Sequence, residues 1–258
     1  MAEKKKIQSA SENTVSAIQN AKPVGSATGY RVGAIILWVL ALACEVLAIL
    51  LAGGKLRITF MSTLVGIIIL IVLDLVFLII GSQLWKKANH ISPASKKNPT
   101  KYWLWNNLGL IMAVFCFLPL IILLLTNKDL DKKTKTIATI AAVVALLIGG
   151  VAGYEFNDLS KEDKDAAITA LEGTAVYWTP YGRVYHTHVI DEELSHTTDD
   201  GKDCPYLNRS DSLTRGTVEE AMAAGKTKLC SYCQRHDNIE GEGLRTDDVP
   251  EPEGTTTP

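Results

Sequence analysis

Four apolar stretches in the first 154 residues constrain this chain more than any other feature. They run over about 32–53, 58–81, 102–126 and 136–154, and the second, "ITFMSTLVGIIILIVLDLVFLIIG", carries a single charged residue in 24. A helix crossing the hydrocarbon core of a bilayer needs about 20 mainly apolar residues, and each stretch meets or approaches that length. Four in succession with short polar connections predict four transmembrane helices rather than four buried helices of a water-soluble core. The first stretch begins 30 residues into the chain and exceeds the apolar core of a cleavable leader, so it is expected to be retained.

Charge divides the sequence at the same place. Residues 1–154 hold sixteen Lys or Arg against six Asp or Glu, whereas residues 155–258 hold ten against twenty-two. Positive residues in short loops are retained on the cytoplasmic side. Placing the N-terminus inside puts nine nearby Lys or Arg on that side, among them Lys22, Arg31 and Lys86, against six outside, from Lys55 to Lys135. The expected arrangement is therefore a multi-pass protein of the cell membrane with both termini in the cytoplasm.

Two acids interrupt the spans. Glu45 lies near the middle of the first and Asp74 slightly past the middle of the second, and no span contains Lys or Arg. An ionisable group at that depth marks a functional site by default. One reading is a proton or cation site, with Asn106, Asn107 and Ser62 as further polar groups. The other is a pair of protonated acids that help the helices choose their packing. Gly149 and Gly153 supply a G-x-x-x-G spacing that suits a close helix contact within the bundle. Tyr102, Trp103, Trp105 and Trp85 stand at span ends, where aromatic rings commonly meet the headgroups.

The sequence changes character after Tyr154. Residues 1–30 form a polar, largely disordered leader segment, 155–173 a helical connector, 174–236 a small folded domain, and 237–258 an acidic disordered tail. Ser160 and Asp163 signal the start of the connector helix and Gly173 its end. "TAVYWTPYGRVYH" reads as two short strands around a Pro180–Gly182 turn. "GTVEEAMAAG" reads as a compact helix with Thr217 as N-cap, Glu220 completing a capping box and Gly225 ending it.

A folded region of about 65 residues often needs a staple beyond its core. Five cysteines are present, of which Cys44 and Cys116 lie in spans and Cys204, Cys230 and Cys233 lie after them. A tetrahedral zinc site takes four soft or borderline donors, two of them commonly from one C-x-x-C turn. Cys230 and Cys233 supply that pair, Cys204 is a third donor, and a histidine must be the fourth. His186, at the end of the predicted hairpin, is the expected one, with His188 and His196 as substitutes. A redox role for Cys230 and Cys233 is the competing reading, but redox pairs open helices and this pair follows one.

Taken together, "VYWTPYGRVYH", "CPYL" and "EEAMAAGKTKLCSYC" resemble a small bacterial metal-binding module, similar to the metal-binding domain of Ada-type repair proteins, that is found appended to nucleases and to membrane proteins. The resemblance covers residues 174–236 and implies His186, Cys204, Cys230 and Cys233 as zinc ligands. One departure stands out. The family's histidine and first cysteine are a few residues apart, whereas here "THVIDEELSHTTDDGKD" separates them, by an insertion or because another histidine has taken the role.

The expected fold class is thus an α-helical membrane protein, four transmembrane helices followed by a small α+β zinc-binding domain with a role in interaction or sensing. The alternatives are a small proton or cation transporter using Glu45 and Asp74, and a membrane-tethered thiol redox protein using Cys230 and Cys233. No catalytic triad, phosphate-binding glycine loop or metalloprotease helix is present, so nothing points to an enzyme. The acidic second half is unsuited to nucleic acid, whose phosphates call for a basic surface. The expected partners are the lipid bilayer and a protein of unknown identity.

Overall fold

The computed structural model describes residues 18–56, 59, 61–187, 204 and 212–247. The chain divides into two compact units. One is Gly25–Asp158, and the other joins the segment up to Val24 to everything from Leu159 onward.

The Gly25–Asp158 unit is a helix bundle. Its long helices are α1 (Ala27–Ala52), α2 (Thr63–Ile91), α4 (Leu108–Thr126) and α5 (Lys132–Gly153), with a short α3 (Pro99–Asn106) before α4. All four long helices are long and apolar enough to cross a membrane. At 1.5 Å per residue the 19 residues of α4 span about 29 Å and the 29 of α2 about 44 Å, against a hydrocarbon core of about 30 Å. Their outward faces are apolar: Val39 is 59 % exposed and Val151 64 %. A surface helix of a water-soluble protein turns polar residues outward, so this exterior fits a membrane-spanning protein.

Small residues set the spacing of the helices. α1 buries Ala34, Trp38, Ala41, Glu45, Ala48 and Ala52, alternating four- and three-residue steps along one seam. On α5, a Cβ at Gly153 would lie 2.4 Å from the backbone carbon of Gly109, and one at Gly149 would meet Leu78 at 2.7 Å. The G-x-x-x-G spacing therefore serves a close contact inside the bundle, as expected, with Gly153 against α4 and Gly149 against α2.

The third apolar stretch is not one continuous helix. Asn107 breaks it between α3 and α4, its side-chain amide donating to the Trp103 carbonyl at 3.0 Å. The Trp105 carbonyl at the break instead accepts from Trp85 Nε1 at 2.9 Å and from Asn89 Nδ2 at 3.2 Å. Trp85 is consequently 4 % exposed and packed between Trp38 and Trp105, with the Arg31 guanidinium 5.9 Å from its ring. It is an interior residue of the bundle rather than one facing the headgroups.

The second unit is α+β. It begins with β1 (Ile18–Asn20) and, after Leu159, runs through α6 (Lys161–Ala170), β2 (Val176–Trp178), β3 (Val184–Tyr185), β4 (Leu213–Gly216), α7 (Val218–Ala223), β5 (Lys228–Leu229) and α8 (Ser231–His236). The two capping boxes form as the sequence signals: Ser160 with Asp163 opens α6, and Thr217 with Glu220 opens α7. Gly225 follows α7 at φ 83°, a left-handed conformation that glycine adopts without strain.

One sheet has the order β1-β4-β2 and a second pairs β3 with β5. β2 runs antiparallel to β4, with Tyr177 opposite Arg215. The expected hairpin is reduced to one antiparallel bridge, Tyr177 and His186 exchanging both backbone hydrogen bonds at 2.8 Å, while β2 and β3 pair with other strands. Val176, Trp178, Tyr185, Leu213, Met222 and Leu229 are among the core side chains.

Two segments differ from the sequence reading. Ile18–Asn20, within the N-terminal segment expected to be largely disordered, is a strand parallel to β4, with Ile18 opposite Leu213. The next residue, Ala21, packs beside Gly216, where a Cβ would come within 2.7 Å of it. Residues 237–247, taken as the start of a disordered tail, are folded onto the unit. Ile239 and Leu244 pack against its core, and the Leu229 N–H donates to the Arg245 carbonyl at 2.9 Å. The rest of the tail lies outside the described residues.

Candidate metal centre

Three local structures carry the donors. His186 ends the hairpin that begins at β2, and its backbone N–H and carbonyl are both engaged by Tyr177. Cys230 follows β5 and is the N-cap of α8, while Cys233 lies in the first turn of that helix. The Cys230 N–H donates to the Tyr185 carbonyl at 2.9 Å, which ties the C-x-x-C turn to the residue before His186. Cys204 reaches the same point from a segment whose neighbours lie outside the described residues.

The side-chain donors converge. Cys204 Sγ lies 3.2 Å from His186 Nδ1 and 3.8 Å from Cys230 Sγ, and Cys233 Sγ lies 3.7 Å from His186 Nδ1. The ligand atoms of all four residues fall within 4.8 Å of one another, and all four residues are buried. A sulfur pair at 3.8 Å is far beyond the ~2.05 Å of a disulfide, and none of the cysteines is in one. Tetrahedral bonds of about 2.3 Å to sulfur and about 2.0–2.1 Å to nitrogen would separate two sulfurs by about 3.8 Å and a sulfur from a nitrogen by about 3.6 Å. The three separations, 3.2, 3.7 and 3.8 Å, lie within about 0.4 Å of those values. The cluster can hold a metal ion, and no other such group of three or more His, Cys, Asp or Glu occurs among the described residues.

Groups around the cluster keep its frame in place. Lys226, which the sequence did not single out, is nearly buried and donates from Nζ to the carbonyls of Pro180 at 3.0 Å and Gly182 at 2.6 Å. It thereby pins the turn that brings β3 and His186 back toward the thiols. Burial holds its ammonium below the ordinary lysine value. Burial likewise pushes the Tyr185 phenol up, which keeps it neutral beside the site. At the other side the Asp247 carboxylate accepts from the Ser231 N–H, closing the first turn of α8.

The C-x-x-C pair follows α7, but it also opens α8, so its position does not argue against redox chemistry. What argues for a metal is the arrival of His186 and Cys204 at the same point. His188 and His196, the possible substitutes for His186, lie outside the described residues.

The other predicted polar site is split. Glu45 and Asp74 are both buried in the bundle, near one another. Asn106 and Asn107 do not join them: Asn106 accepts from Asn89, and the Asn107 side chain accepts from the Glu155 N–H. Ser62 is the N-cap of α2. No known protein family, characterised protein or solved structure matches this chain.

Proposed function

We propose that the second unit is a zinc-stabilised domain carried by a four-helix membrane anchor, and that it presents a surface for interaction or sensing rather than catalysing a reaction. The observation that carries this reading is the convergence of one imidazole and three thiols at buried positions with near-tetrahedral separations. Zinc is the metal this donor set suits, since thiolate-rich tetrahedra select zinc over calcium, magnesium or manganese. Four protein donors leave no open position for substrate, which favours a structural site over a catalytic one.

The order of motifs supports kinship with the Ada-like metal-binding module, with the stretch between His186 and Cys204 as an insertion in it. The acidic charge of the second half favours a protein partner over nucleic acid. Pairing of β1, before the first span, with β4, after the last, supports placing both ends of the chain on one side of the membrane. The Lys and Arg bias makes that side the cytoplasm, where thiols stay reduced and free to bind metal.

The test is metal analysis of the purified full chain together with tag accessibility at each terminus in intact cells. One zinc per chain and two protected termini are expected. A chain without metal would remove the zinc domain, and a C-terminal tag reachable from outside would reverse the orientation.

A further inference from the structure

Glu45 and Asp74 occupy seam positions where apolar side chains would otherwise meet. Glu45 is 4 % exposed and Asp74 1 %. Cys44 and Cys116 are the ionisable side chains beside them. Glu45 lies toward Leu120 of α4, and Asp74 toward Cys116 of the same helix. Each carboxyl keeps one buried oxygen, Glu45 Oε1 and Asp74 Oδ1, with no hydrogen-bond partner.

Among the described residues of the four long helices, no cation stands close to the pair. On α1 the nearest is Arg31, 14 residues away, and on α2 it is Lys86, 12 residues away, so at 1.5 Å per residue they stand about 21 Å and about 18 Å along their axes. α4 brings only the Cys116 thiol as an ionisable group, and α5 has none after Lys135. Two ionised carboxylates here would forgo hydration and repel one another. A hard metal ion is a poor remedy, because calcium takes six to eight oxygens and magnesium a full octahedron. A proton needs a single oxygen.

We infer that Glu45 and Asp74 form an intramembrane proton-binding site whose two carboxyls hold at least one exchangeable proton at neutral pH. On binding, an O–H bond forms on one carboxylate with a proton drawn from water, and release returns the proton to water. The two acids titrate as a coupled pair, since a charge on one opposes a charge on the other. The site is separate from the metal centre and gives the bundle a chemistry beyond anchoring.

Infrared spectroscopy of the full chain in lipid vesicles tests this directly, because exposed carboxyls are ionised at pH 7 and contribute no carboxylic-acid carbonyl band. The expected result is such a band at pH 7 that shifts in D2O and is lost as pH is raised. Carboxyl ¹³C labelling of glutamate or of aspartate in the unmutated chain should shift it, so the assignment does not depend on a variant that folds poorly. Glu45→Gln and Asp74→Asn should each remove or shift it. The inference is overturned if no band is present at pH 7, if the band ignores both D2O and pH, or if neither label moves it.

Discussion

Replacing His186 with alanine separates the metal's contribution from that of the hairpin. The backbone bonds between His186 and Tyr177 do not involve the imidazole, so the strand pairing can survive the change. What is lost is the nitrogen 3.2 Å from Cys204 Sγ and 3.7 Å from Cys233 Sγ. A structural zinc contributes about 10–16 kcal/mol of apparent binding free energy. Taking the four bonds as comparable, one ligand accounts for about 2.5–4 kcal/mol, or a loss of roughly 10²- to 10³-fold in zinc affinity at about 1.4 kcal/mol per tenfold. A loss of that size is a large share of the 5–15 kcal/mol typical of a whole domain. Competition with a chromophoric chelator reads the affinity, and His188→Ala and His196→Ala are the controls. The reasoning is refuted if His186→Ala binds zinc like the unaltered chain while either control loses it.

Other consequences follow from single contacts. Lys226→Met should destabilise the second unit by about 2–3 kcal/mol, since charge-assisted bonds to two carbonyls disappear; denaturant unfolding should show this with zinc stoichiometry unchanged. Asp247→Ala should cost about 1 kcal/mol, the usual value of a capping side chain, because the Ser231 N–H loses its acceptor; stability unchanged within a few tenths would contradict it. Gly153→Leu should separate α4 from α5 and destabilise the bundle by at least about 1–3 kcal/mol, as its Cβ would overlap the Gly109 backbone. Protease resistance of the bundle in detergent reads that effect, and full resistance would argue against the close contact.

The spans were legible because membrane crossing depends on length and hydropathy, both of which are written locally in the sequence. The capped starts of α6 and α7 were legible for a similar reason, each resting on residues three apart. Asn107 was not: it sits inside an apolar stretch, and its break makes sense only once Trp85 and Asn89 are seen to satisfy the Trp105 carbonyl. β1 was hidden because three residues with no apolar periodicity become a strand only through a partner almost 200 positions away. Ile239 and Leu244 were too sparse in a polar context to announce a folded segment.

At the candidate site, the C-x-x-C spacing marked Cys230 and Cys233 and residue type added Cys204, while His186 stood out among three histidines only by its place at the end of the predicted hairpin; the structure gathers these four. The supporting groups Lys226 and Asp247 carried no such mark. Their roles come from tertiary geometry, an ammonium placed between two turn carbonyls and a carboxylate at a helix start. The placement of Cys230 at the beginning of α8 was missed because that helix is only six residues long. It leaves too little sequence for a periodic pattern.

X-ray absorption at the zinc edge on the purified full chain tests the central claim most directly. The account predicts a four-coordinate zinc with three sulfurs at about 2.3 Å and one nitrogen at about 2.0–2.1 Å. A shell dominated by oxygen, or a chain that carries no zinc, would contradict it.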